Sequence, residues 1–161
     1  MVVDVASEFR YRNPILGAGD CFLAISQSGE TADTLAAMRE AERLGAKVMA
    51  LTNVVGSSIA RTAGDCVMYT YAGPEIAVAT TKAYSTQLAA LYLVAVHMAE
   101  VRGQITKERR EELIAAMLAL PDQIERVLSD KERVQWYANK MAACKDVFFI
   151  GRGLDYAISL E

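Results

Sequence analysis

The sequence predicts an α/β fold in which a parallel sheet carries helices on both faces as three αβα layers. Short apolar runs alternate with segments of helical period, the pattern of strand–helix–strand units joined by right-handed crossovers. Such strands are buried on both faces, and so read as near-continuous apolar runs. At 161 residues and 53% hydrophobic content, the chain is long enough for a full core.

Val2-Val3-Asp4-Val5 is a candidate first strand. A polar and aromatic stretch follows, Ser7-Glu8-Phe9-Arg10-Tyr11-Arg12, then a loop with Asn13-Pro14. Cys21 to Ile25 is the second strand, and the helix opening near Ala32 places Leu35, Met38, Ala41 and Leu44 on one face. Gly45 stops it. Lys47 to Thr52 is the third strand, Gly56-Ser57-Ser58 opens a short helix, and Cys66 to Thr70 is the fourth strand. Tyr71-Ala72-Gly73-Pro74 breaks any helix.

The second half is helical. Thr80 or Thr81 caps a long helix to about Arg102, with Gly103 at its end. Lys107 to Leu118 is amphipathic, with Leu113, Ile114, Met117 and Leu118 inward and its charge run on a solvated face. Pro121 suits the first turn of the next helix, and another covers about Lys131 to Ala143. Asp146 to Ile150 reads as a fifth strand feeding Gly151-Arg152-Gly153, and a helix starts before Glu161. No linker composition accompanies that ending, so the chain is expected to be a piece of a longer protein, truncated at both ends.

A net charge of −3 and a pI near 5.3 argue against nucleic acid as a partner. Cys21, Cys66 and Cys144 have neither metal-ligand spacing nor an even count, so they read as buried thiols in a reducing cytoplasm. No metal and no cofactor is expected. There is no basic start followed by an apolar run, hence no signal peptide. Leu88 to Ala99, interrupted by His97, is well short of the ~20 residues that cross a bilayer. It reads as a core or interface helix, and no membrane partner is expected.

The chemistry concentrates in Ser26-Gln27-Ser28-Gly29-Glu30-Thr31, between the second strand and its helix. This lies at the carboxyl end of a parallel strand, where open sheets bind ligands. Free N–H groups and the positive dipole end attract an anion there, and Ser26, Ser28 and Thr31 add hydroxyl donors. The turn matches neither a Walker loop nor G-x-G-x-x-G, and it contains no Lys or Arg. Dipoles and hydroxyls suit a phosphate that exchanges, with a dissociation constant of roughly 10⁻³ to 10⁻⁵ M. An ordinary helix cap fits the same residues.

Several segments together carry a resemblance. They are Ala6 to Arg12, Ser26 to Thr34, Gly73 to Tyr84 (GPEIAVATTKAY), Leu120-Pro121 and Phe149 to Gly153. The chain resembles the sugar-isomerase (SIS) region of the glutamine–fructose-6-phosphate aminotransferase family over essentially its whole length. The hydroxyl turn alone would indicate only the wider SIS superfamily, whose fold is flavodoxin-like. The resemblance implies a first SIS subdomain over residues 1–143 that lacks its first strand, and the beginning of a second over 144–161.

That family converts fructose 6-phosphate and glutamine-derived ammonia to glucosamine 6-phosphate. The resemblance implies that Ser26, Gln27, Ser28 and Thr31 hold the sugar phosphate and that Val78 and Ala79 lie against the sugar through their backbone. Glu75 and Lys82 flank that segment as candidate site organisers, or as a salt-bridged scaffold. No catalytic residue is expected here: by resemblance the acid/base glutamate falls just beyond Glu161, and the ring-opening histidine and a lysine lie further on. His97 and Glu161 do not take those roles, and no cysteine inherits the glutaminase nucleophile. The resemblance also implies a homodimer. Val147 to Ile150, the repeat counterpart of the missing strand, is expected to fill its slot, from its own chain or from a neighbour. A sugar-phosphate-sensing SIS module and a sugar–amine phosphate deglycase or deaminase share the hydroxyl turn and remain alternatives.

Overall fold

The computed structural model describes residues 1–76 and 80–160. Three parallel strands form the sheet in the order β1 (Cys21–Ser26), β2 (Lys47–Thr52), β3 (Val67–Tyr69). Cys21 pairs with Lys47 through to Ser26 with Thr52, and Ala50 pairs with Val67 through to Thr52 with Tyr69. Strand order that steps one way brings right-handed crossover helices to one face. Accordingly α2 (Ala32–Arg43) and α3 (Ser58–Ala63) share a single core. That core joins Met38 of α2 and Ile59 and Ala63 of α3 to Ala24 and Ala50 of the sheet, with Phe22, Leu35, Val48 and Val67 packed around them.

Alternation of side chains along a strand explains the set. Phe22 and Ala24 share a face with Val48 and Ala50, and Ser26 and Thr52 continue that face to the carboxyl end of the sheet. On the opposite face Leu51 is fully buried, whereas Ile25 near the β1 edge is 44% exposed. The parallel sheet flanked by helices is the expected fold class.

Ahead of the sheet, α1 (Ala6–Phe9) and a 3-10 turn (Arg10–Arg12) replace an undivided polar stretch. Phe9 stacks on Phe22 of β1 at 5.0 Å between ring centres, and Arg10 lies 4.0 Å from Asp33 in the first turn of α2. Arg12 pairs with Asp4 and Glu8. These contacts dock the aromatic segment beside the helix that starts at the hydroxyl turn. The ion pairs are exposed and add little stability.

After the sheet come α4 (Lys82–Val101), α5 (Lys107–Leu118), α6 (Leu120–Ser129), α7 (Lys131–Met141) and α8 (Leu154–Leu160). Pro121 stands in the first turn of α6, where its missing N–H costs nothing. The chain divides into compact units at residues 1–110 and 111–161. In the second unit no described residue is buried.

Four expectations need correction. Val2–Val5 and Val147–Ile150 form no strand among the described residues, because neither finds a backbone partner to pair with. Val147–Ile150 therefore does not fill a sheet slot within this chain, and Phe148 and Ile150 are 87% and 91% exposed. The cysteines are free and exposed, not buried. Cys21 opens the edge strand, Cys66 precedes β3, and Cys144 follows the end of α7, so none sits within an enclosed segment. Leu118, at the last turn of α5, is 76% exposed and does not face inward.

Candidate functional site

The turn from β1 to α2 is tightly specified. Gly29 has φ +66°, in the left-handed region, and a Cβ there would lie 2.1 Å from Ser57 Oγ and 2.8 Å from Thr52 Oγ1. Both the conformation and the close approach require glycine. The Gly29 N–H donates to Ser26 Oγ at 3.1 Å, and Ser26 Oγ lies 3.2 Å from Thr31 Oγ1. The hydroxyl of Ser26 thus closes the turn from a buried position, while Ser28 is exposed.

Thr31 occupies the N-cap position of α2 but makes no side-chain cap bond. An uncapped start leaves first-turn N–H groups of α2 without a side-chain acceptor. α3 differs, since Ser57 Oγ accepts from the Ala60 N–H at 3.4 Å. Glu30 also serves α3: its Oε1 accepts from the Ser58 N–H at 2.8 Å. Hydrogen bonds from the Ser58 side chain and then its backbone hold the Glu30 carboxyl below its ordinary 4.5. The one acidic residue in the turn is therefore committed to the neighbouring helix.

Asn53, directly after β2, ties the turn to the loop leaving β3. Its N–H donates to the Gln27 carbonyl at 3.1 Å. Its side-chain oxygen accepts from the Ala72 N–H at 2.7 Å and from the Thr70 hydroxyl at 3.1 Å, and its amide donates to the Gly73 carbonyl at 2.8 Å. Thr52 Oγ1 adds a 3.4 Å bond to the Gln27 carbonyl. The two walls so joined border an open cleft of about 520 Å³, lined by Gln27, Asn53, Val54, Tyr71, Gly73, Pro74 and Glu75. Its volume falls in the range of small-molecule pockets. Glu75 Oε2 is buried with no hydrogen-bond partner among the described residues.

Ser26, Gln27, Ser28 and Thr31 thus share one turn, and Gln27 and Glu75 line one cleft. Lys82 is the first residue of α4 and is exposed; it is not among the residues lining the cleft. Val78 and Ala79 lie outside the described residues. His97 is exposed on α4. Sequence reasoning missed Asn53 and Tyr71. The position of Asn53 at a parallel strand's carboxyl end was a usable signal. The left-handed backbone of Tyr71, φ +51°, had none.

Comparison with known proteins gives the family. Residues 1–97 match the SIS domain model. The chain belongs to the SIS domain family. A glutamine–fructose-6-phosphate aminotransferase (isomerizing) of Clostridium tetani is 57% identical over 159 residues, which is 99% of this chain and 26% of that protein. The enzyme of the same name from Methanosarcina mazei is 48% identical over the same span. The C-terminal domain of glucosamine-fructose-6-phosphate aminotransferase from Francisella tularensis superposes with a TM-score of 0.92 at 33% identity, covering 98% of this chain and 45% of that one. This SIS chain therefore spans about a quarter of the length of the curated relatives it matches. No helix among its described residues is long and apolar enough to cross a membrane.

Proposed function

We propose that this SIS chain holds the phosphate of a sugar phosphate, fructose 6-phosphate or glucosamine 6-phosphate, at Ser26, Gln27, Ser28 and Thr31. The protein to which it belongs then forms glucosamine 6-phosphate from fructose 6-phosphate and glutamine-derived ammonia. The observation that carries the reading is the uncapped start of α2 beside the hydroxyls of Ser26 and Thr31, with Glu30, the carboxylate of the turn itself, engaged by α3. N–H groups and hydroxyls there offer an anion donors without a competing cap. The names borne by relatives about half identical supply the sugar. In the same reading Val78 and Ala79 border the sugar, Glu75 and Lys82 flank the site, and residues 144–161 open a second subdomain after a first that runs to 143. Two copies associate through α4, where Tyr92 and Leu93 are 57% and 49% exposed, in a reducing cytoplasm.

Calorimetric titration with glucosamine 6-phosphate and with glucosamine tests the phosphate site, repeated on Ser28→Ala. Saturable binding that needs the phosphate and weakens in the variant is expected. Equal binding of both sugars, or none to the folded chain, overturns it. The chain alone is expected to give no turnover, because the resemblance puts the acid/base glutamate outside it. Glucosamine 6-phosphate formed from fructose 6-phosphate and ammonia by this chain would refute that.

A further inference from the structure

Glu75 has a carboxylate oxygen that is buried and, among the described residues, unpartnered, in the lining of a cleft that also borders the β1–α2 turn. Buried polar atoms in folded proteins are nearly always satisfied, and an exception calls for a physical reason. A carboxylate accepts hydrogen bonds and donates none, so what it lacks is a donor. Gln27 and Tyr71 carry donors in the same lining, but neither bonds this oxygen. Asn53 spends its amide N–H on the Gly73 carbonyl, and its oxygen already accepts two bonds. Val54, Gly73 and Pro74 bring no side-chain donor to the lining.

The geometry points to Glu75 as a specificity-determining residue, whose carboxylate accepts a hydrogen bond from a hydroxyl or ammonium group on the body of the bound sugar phosphate. The inference rests on the phosphate reading of the β1–α2 turn and deepens it. Gln27 belongs both to the turn and to the cleft lining, so a ligand anchored by its phosphate at the turn extends into the cleft. Asn53 acts as a positioning residue. Its backbone holds Gln27 and its side chain holds residues 70, 72 and 73, so the anchor and the acceptor are fixed relative to each other. Inorganic phosphate fills the anchor alone; a sugar phosphate fills both.

The test compares inorganic phosphate, glucosamine 6-phosphate and fructose 6-phosphate by calorimetry or NMR titration on the 161-residue chain, as wild type, Glu75→Gln and Glu75→Ala. Losing a charge-assisted hydrogen bond should weaken one or both sugar phosphates by about tenfold or more in Glu75→Ala. Glu75→Gln should fall between. Inorganic phosphate should bind all three proteins alike, which also reports an intact turn. Unchanged preference for sugar phosphate over phosphate in both variants overturns the role of Glu75 and leaves the phosphate site standing. Failure of the wild type to bind inorganic phosphate or either sugar phosphate overturns the phosphate reading and this inference with it.

Discussion

Gly29 answers two demands at once, a left-handed backbone and contact with Thr52 and Ser57, and relief of one leaves the other. Gly29→Ala is therefore expected to cost about 2 to 5 kcal/mol, from backbone strain added to overpacking. Urea denaturation measures it, and a loss below about 0.5 kcal/mol would show the turn to be pliable. Glu30 makes a pH prediction. Its folded pKa lies below the ordinary 4.5, so its contribution is present above about pH 4.5 and is lost as pH falls through the depressed folded value. Glu30→Gln should flatten that part of the acid limb of stability against pH. Parallel curves for the two proteins would mean the bond to Ser58 does nothing in solution.

At the level of elements, α2 and α3 are held by one small core, and Met38 is its largest fully buried member. Met38→Ala should cost roughly 2 to 5 kcal/mol in a denaturant melt. A loss under 1 kcal/mol would mean the sheet face repacks freely. The elements themselves were largely legible: the three paired strands and α5 match their sequence patterns closely, because alternation and helical period are local. Val2–Val5 and Val147–Ile150 have strand composition yet no strand, since a strand exists only through a neighbour, which composition does not encode. The candidate site divides the same way. The hydroxyl turn is contiguous in sequence and was readable. The Asn53 bridge, which reaches 17 to 20 residues on to Thr70, Ala72 and Gly73 and also back to Gln27, was not.

Over the whole molecule, burial is uneven. The core residues belong to the unit of residues 1–110, while the unit of residues 111–161 buries none that is described. Amide hydrogen exchange should therefore be slowest in β2, the central strand, and fast through α6 to α8. Equal protection in both units would contradict this distribution of burial.

The outer edge of β1 pairs with no strand among the described residues, and Phe148, Phe149 and Ile150 stand exposed. An open edge and bare apolar side chains are kept apart in solution chiefly by charge, and here the net charge is only −3. Near pH 5.3 even that vanishes. The colloidal weak point thus lies just above the range where Glu30 is to be titrated. Acid scans belong at low protein concentration, entered in one step from neutral pH, and a cloudy sample near pH 5.3 would report the crossing of the isoelectric point, not the loss of Glu30.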